Sequence, residues 1–250
     1  MKVSVITATY NSASVVEDCL ASVAEQIYEN IEHVLIDGSS ADSTLEVLQN
    51  HRPALAKIVS EPDDGIYDAL NKGIKHATGE VIGFLHSDDV FSSNDVLKKV
   101  VSIFEADVSV SAVYGDLEYV HRSIPDVVVR TWRSSSFSPY LLKKGWMPPH
   151  PTLYVRREWY DRIGGFDKRY RIAADYFSIL QLFSQSNFKA VYLPEMMIKM
   201  RLGGASNRSL SAILRKSTED WDALRRSGFG MFSAARALVL KNLSKVKQFL

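Results

Sequence analysis

The stretch Val81-Ile-Gly-Phe-Leu-His-Ser-Asp-Asp89 decides how this chain is read. A mostly apolar run ends in two adjacent carboxylates, and in an open α/β sheet ligands bind outside the carboxyl ends of the strands. Adjacent residues on an extended chain point to opposite sides, so one acid can take a metal ion while the other takes a sugar hydroxyl. A strand followed by a solvated turn or a helix cap would also yield Ser-Asp-Asp, because Asp is common at such points. The rest of the chain has to choose between these readings.

From residue 1 to about 120, short β-branched runs alternate with helix-like segments, the pattern of parallel strands joined by crossover helices. Strands are predicted at Val3–Thr7, His33–Asp37, Lys57–Glu61, Val81–Ser87 and Val110–Tyr114. Ser14-Val-Val-Glu17 predicts a capping box for the first helix, with Val16, Leu20 and Val23 at helical spacing. A second helix is expected to begin near Ala41 and Asp42, and a third to run from Ile66 to His76. Leu117–His121 and Val127–Arg133 are expected to pair as antiparallel strands. Gly145-Trp-Met-Pro-Pro-His-Pro151 is too rich in proline for regular structure, and residues 152–200 read as strand, helix, Gly164-Gly165 turn, helix and strand.

At 250 residues the chain can form one large domain, or one domain with an appendage. Thirty Lys plus Arg against 29 Asp plus Glu give a net charge of +1, so no global field argues for a nucleic-acid partner. The single cysteine, Cys19, rules out an internal disulfide framework and reads as a packing residue. The chain enters a strand-like run at Lys2 without a signal peptide, and no apolar run reaches the roughly 18 residues that cross a bilayer, so a cytosolic protein is expected. Phe229 to Leu250 mixes apolar residues with Arg236, Lys241, Lys245 and Lys247 and has no acid. Such a segment can lie on an anionic membrane as a peripheral contact, or pack on the domain.

The predicted strand ends carry the chemistry. The first ends in Thr7-Ala-Thr-Tyr-Asn11, with neither the G-x-G-x-x-G of a dinucleotide fold nor a P-loop. Tyr10 can stack on a base, and the hydroxyls of Thr7 and Thr9 can bond its edge. Asp37, at the second strand end, can accept from a base N–H or cap the next helix. Glu61-Pro-Asp-Asp-Gly-Ile-Tyr-Asp-Ala-Leu-Asn-Lys-Gly73 adds Asp64 and Lys72, the latter able to reach a phosphate. Four strand ends that offer a base platform, an acceptor, an Asp/Lys cluster and paired acids suit a nucleoside diphosphate. Bare carboxylates would repel that anion, and a divalent cation bridging Asp89 to phosphate oxygens removes the conflict.

In order, Val-Ile-Thr-Ala-Thr-Tyr-Asn, Ile-Asp-Gly-Ser-Ser-Ala-Asp-Ser-Thr, Pro-Asp-Asp-Gly-Ile-Tyr-Asp-Ala-Leu-Asn-Lys-Gly and Ser-Asp-Asp resemble the family 2 glycosyltransferases of the GT-A fold over roughly residues 1–205. The third segment further resembles bacterial enzymes that build O-antigen, capsule or exopolysaccharide repeats. The resemblance implies an α/β fold with a Rossmann-like, mostly parallel sheet flanked by helices, a small antiparallel acceptor-side sheet and a C-terminal helical tail. The expected division is a glycosyltransferase domain over 1–207, with a nucleotide-sugar half to 120 and an acceptor and base half from 121, followed by a helical extension over 208–250.

The resemblance also implies site roles. Thr7, Thr9 and Tyr10 would contact the base, Asp37 its N–H edge, and Asp64 and Lys72 the nucleotide or its phosphates. Asp88 would hold ribose or sugar hydroxyls, and Asp89 would ligate Mg²⁺ or Mn²⁺. Gly164-Gly-Phe-Asp167 followed by Arg171-Ile-Ala-Ala-Asp-Tyr176 makes Asp175 the candidate base. His150 is a candidate donor-sugar or acceptor contact. Arg201-Leu-Gly-Gly-Ala-Ser206 matches a late loop that can close over a diphosphate, with Arg201 on anionic oxygens and Gly204 and Ser206 beside it.

The implied activity is metal-dependent, inverting transfer of a sugar from a nucleoside-diphosphate donor, with a UDP-sugar favoured, to a lipid-linked or growing saccharide. A sugar-phosphate nucleotidylyltransferase would want a glycine-rich, basic loop after the first strand, and Thr7 to Ser14 offers none. A noncatalytic nucleotide-sugar-binding module would not require Asp88, Asp89 and Asp175 together.

Overall fold

The computed structural model describes residues 1–51, 56–122, 124–203 and 210–246. Its first strand, β1 (Val3–Thr9), is buried along almost its whole length, as a strand covered on both faces must be. The cover comes from α1 (Val16–Ala24), α2 (Thr44–Asn50) and α3 (Ile66–His76), which link β1 to the parallel strands β2 (Ile31–Asp37), β3 (Lys57–Ser60) and β4 (Val81–Phe84). The spatial order β3-β2-β1-β4 steps outward and then returns to the far side of β1. A crevice therefore opens between the carboxyl ends of β1 and β4, the switch point at which such sheets bind ligands.

Beyond β4 the chain runs through β5 (Val90–Phe91), α4 (Val96–Ala106), β6 (Ala112–His121), β7 (Ile124–Trp132) and α5 (Pro139–Leu142), then β8 (Tyr154–Arg156), α6 (Arg157–Ile163), α7 (Ala174–Phe183) and β9 (Ala190–Arg201). β8 joins β4 and β6 antiparallel, β9 runs parallel to β6, and β5 and β7 add antiparallel edges. The expected α/β class, a mostly parallel half extended by an antiparallel half, is the one found. Two further helices follow, α8 (Leu210–Arg226) and α9 (Met231–Val246). Their Ala223, Leu224, Ala234 and Ala237 are buried in the same apolar cluster as α3 and α7, so they share the main core.

Three local expectations change. No capping box forms: α1 starts at Val16, and the Ser12 carbonyl accepts the N–H groups of Val15 and Val16, at 3.0 Å each, while Thr44 Oγ1 fixes the Ser12 N–H at 2.7 Å. The two strands expected at Val110–Tyr114 and Leu117–His121 merge into one, Ala112–His121, because Gly115 lets Met197 of β9 press against the backbone at a register shift that reads in the sequence as a break. β4 ends at Phe84, so Asp88 and Asp89 stand on a turn, closed by the Asp89 N–H to the His86 carbonyl at 3.0 Å. The chain must bend there because β5 leaves the parallel sheet to pair with β9.

The close approach of α3 to β1 depends on Gly73, where a Cβ would lie 2.3 Å from Ile6 Cγ2. Among the described residues, no helix is long and apolar enough to cross a membrane.

Candidate active site

At the switch point Ser12 and Ser87 share a 3.0 Å hydroxyl contact that ties the end of β1 to the turn after β4. Asp89 is fully buried there. Its Oδ1 accepts the Arg201 backbone N–H at 3.3 Å, and its Oδ2 is buried with no partner. Burial pushes this carboxyl well above the ordinary aspartate range, and the neighbouring Asp88 pushes further, against a smaller opposing pull from Arg201. An orphaned acidic oxygen beside a second, half-buried carboxylate fits a divalent cation. Among the described residues no set of three or more His, Cys, Asp or Glu side chains converges on one point. A cation held here would thus take most of its ligands from diphosphate oxygens and water, the habit of Mg²⁺ in phosphate sites.

Arg201 enters this pocket from the end of β9. Its guanidinium is almost enclosed and ion-paired with Asp18 of α1, so the cation expected on a diphosphate is held by a carboxylate. Gly204 and Ser206 lie outside the described residues. Cys19, beside Thr7, is buried, and burial pushes its thiol far up, which leaves it a packing residue.

The nucleotide edge differs in part from expectation. Tyr10 is 65% exposed beside Gly38, as a stacking platform requires. Thr7, by contrast, is buried, with its hydroxyl 3.0 Å from His33 Nε2, so its polar atom is already engaged in the layer beneath the strand ends. Burial holds His33 down at about 3, which makes it a neutral partner. Thr9 and Asp37 are also buried. Asp37 accepts from Thr9 Oγ1 at 3.1 Å, the Ser40 N–H at 3.1 Å, the Ser40 hydroxyl, and Ser60 Oγ at 2.7 Å. Four donors fill the lone pairs of a carboxylate, so Asp37 braces three strand-end loops instead of presenting a free acceptor. Lys72 is engaged by the Pro62 carbonyl at 2.6 Å, Glu61 at 3.0 Å and Asp68 at 3.4 Å, and Asp64 is exposed and paired with Lys168 at 3.6 Å. Both are thus engaged within one cluster of charges formed by Glu61, Asp64, Asp68, Lys72 and Lys168.

Asp175 arrives from the opposite side. Gly164 and Gly165 adopt φ +76° and +74°, and at Gly165 a side chain would collide with Asn71 Oδ1 at 2.5 Å. Asn71 of α3 clasps Phe166, donating to its carbonyl and accepting its N–H at 2.8 Å each, which docks the segment leading into α7. Asp175 Oδ1 then accepts from the Tyr176 N–H at 2.7 Å and Tyr67 Oη at 3.3 Å. The His86 and His150 rings lie 6.5 Å apart, and the charge of Asp175 bears on both while that of Asp88 bears on His86, so the four groups stand within electrostatic reach of one another. His150 stacks on Phe84 at 5.4 Å, and its buried Nε2 has no partner. Burial lowers it to about 4, with Asp175 opposing, so the ring is neutral at physiological pH.

Residues 4–171 match the family model of glycosyl transferase family 2. The chain belongs to this family. A Mycobacterium tuberculosis relative described as an uncharacterized glycosyltransferase is 33% identical over 242 residues, spanning 91% of this chain and 86% of the relative. A PGL/p-HBAD biosynthesis glycosyltransferase of Mycobacterium bovis is 32% identical over 82% of this chain and 78% of its own length. Among solved structures, S. aureus TarS 1-349 in complex with UDP-GlcNAc superposes with a TM-score of 0.72 at 18% identity, covering 97% of this chain and 72% of that one. The mannosyltransferase PcManGT of Pyrobaculum calidifontis, in complex with GDP-Man and Mn²⁺, gives 0.67 at 21% identity, covering 96% and 68%. The fold of this family 2 glycosyltransferase is accordingly GT-A, and the nucleotidylyltransferase and binding-module readings are set aside.

Sequence reasoning named neither His86 nor Tyr67 as a site residue, although both lie inside the quoted motifs. Only the fold reveals that Tyr67, the second residue of α3, reaches Asp175.

The pKa of Asp89 predicts a measurable stability effect. A carboxyl raised in the native state contributes its full stability below the ordinary aspartate value and loses it as pH rises through the native value. Asp89→Asn, measured without metal, should therefore raise the urea midpoint at pH 7.5, with the gain vanishing near pH 4. A variant less stable than wild type at pH 7.5 would contradict this electrostatic assignment.

Proposed function

We propose that this family 2 glycosyltransferase is metal-dependent and inverting, and moves a sugar from a UDP-sugar to a hydroxyl of a lipid-linked or growing saccharide in surface-polysaccharide or glycolipid assembly. The observation that carries the reading is that Asp175 and Asp88 both act electrostatically on His86, which puts a single acid of α7 within reach of the adjacent acids on the turn after β4. Support for the donor class and the ion comes from TarS, held with UDP-GlcNAc, and PcManGT, held with GDP-Man and Mn²⁺.

Both internal donors to Asp175 converge on Oδ1. Among the described residues Oδ2 takes no internal hydrogen bond, so it is left to receive the acceptor proton as that oxygen attacks the anomeric carbon. The bond to the diphosphate breaks with its electron pair on the leaving oxygen. One displacement by one base inverts the anomeric centre, whereas retention by double displacement would need a second carboxylate as nucleophile. Asp89, with Asp88 beside it, would hold Mg²⁺ or Mn²⁺, whose contribution is to neutralise charge on the departing diphosphate. The exposed Tyr10 ring serves as base platform, and the neutral, unpartnered His150 suits a sugar hydroxyl.

Peripheral membrane contact falls to the outer face of α9, where Met231, Phe232, Val239 and Leu243 are exposed. Lys241, one of the cations expected at headgroups, instead points inward, buried and paired with Asp220 at 2.7 Å. The protein should co-float with phosphatidylglycerol vesicles and lose that binding in Phe232→Glu/Leu243→Glu. Equal flotation of the double variant would remove α9 from the contact.

Asp175→Asn should retain UDP binding by calorimetry while turnover of the best substrate in a UDP-sugar panel falls about 10²- to 10⁴-fold. Near wild-type turnover, or a product of retained anomeric configuration by NMR, would overturn the mechanism.

A further inference from the structure

Residues 167–173 carry the chain from the Gly164-Gly165 turn into α7 and so decide where Asp175 stands. Helix α8 grips this segment at three places. Glu219 gathers three consecutive backbone N–H groups, those of Arg171 at 3.2 Å on Oε1 and of Ile172 and Ala173 at 2.8 and 3.0 Å on Oε2. Asp222 accepts from Tyr170 Oη at 2.7 Å, and Arg226 pairs with Asp167 at 2.9 Å. On the far side of Asp175, the ring of Tyr176 lies 3.2 Å beneath the Lys241 ammonium of α9.

The peptide at Ile172 is held from both directions. Its N–H goes to Glu219, and its carbonyl accepts Tyr67 Oη at 2.6 Å, the same hydroxyl that reaches Asp175. Hydrogen bonds from backbone N–H groups to a carboxylate are among the strong ones, and three of them orient Glu219 fully. Because its oxygens are spent on the backbone, Glu219 is no candidate for proton transfer.

We propose that Glu219, in the helical pair that follows the matched family region, is a positioning residue for the base: by collecting the Arg171, Ile172 and Ala173 amides it fixes the entry into α7 and keeps Asp175 aligned with Tyr67 and the acceptor hydroxyl. The C-terminal helices are then part of the catalytic apparatus. This assignment rests on the reading of Asp175 as the base, and misplacing a catalytic group by about 1 Å can cost on the order of 100-fold in rate.

The test uses the full-length protein, with UDP release from the best-used member of a panel of UDP-glucose, UDP-galactose and UDP-N-acetylglucosamine. Glu219→Ala should lower kcat about 10- to 100-fold, leave KM and the calorimetric Kd for UDP unchanged, and be partly restored in Glu219→Asp. Leu97→Ala, in α4 on the other face of the sheet, controls for thermal destabilisation and should keep wild-type kcat at a temperature where it is folded. Should Glu219→Ala fail to fold, Glu219→Gln, which keeps size and one acceptor oxygen, carries the same comparison. Wild-type kcat in the Glu219 variants, or a loss no greater than that of a control of equal Tm, overturns the proposal. Asp175→Asn is assayed alongside: if it is inactive while the Glu219 variants are normal, only the positioning role falls, and if it is fully active, both roles fall.

Discussion

The buried carboxylate of Asp89 is the constraint around which this structure is arranged. An ionised acid without water or a full set of donors is costly, and a second acid beside it raises the cost. The protein supplies one weak compensation, the 3.3 Å backbone N–H of Arg201, and leaves the other oxygen unmet. Burial and Asp88 both push the carboxyl upward, toward holding a proton, and a divalent cation would supply the missing positive charge instead. Such an unmet group in a native protein calls for an explanation, and a bound ion is one that fits two adjacent acids.

The fold exists around that point. The outward-and-back strand order opens a crevice beside β1, Gly73 lets α3 close on β1, and the early end of β4 sets the half-buried Asp88 and the enclosed Asp89 on the turn beside it. The β5–β9 pairing closes the loop between them, since it carries the Arg201 backbone to Asp89. From the other side, the Asn71 clasp and the grip of α8 deliver Asp175. Charges that sequence reasoning assigned to the ligand, Asp37, Lys72 and Arg201, are used by the fold to tie these segments together.

Much of this was legible in the sequence because it is written locally. Alternating apolar runs and helical spacings give the β1–α1–β2–α2–β3–α3–β4 succession, and the ordered motifs give the family. What was not legible depends on contacts between distant segments. A Thr on a buried strand looks the same whether it faces a base or His33, and a carboxylate at a strand end looks free until the donors around it are known, as at Asp37. Gly115 reads as a break and is a bulge in one long strand. Nothing in the chain around Glu219 marks it, because its meaning comes from three amides that reach it only when α8 docks. Conversely, Gly164-Gly165 and Asn71 were both visible, but their contact, which sets the path to Asp175, was not.

The central claim is that Asp89 seats a divalent cation shared with the donor diphosphate. Manganese titration followed by electron paramagnetic resonance, with and without UDP, tests it directly, because bound Mn²⁺ loses the six-line signal of the free ion. Wild-type protein should bind Mn²⁺ far more tightly when UDP is present, and Asp89→Asn should abolish that gain. Undiminished UDP-dependent binding of Mn²⁺ by Asp89→Asn would contradict the account.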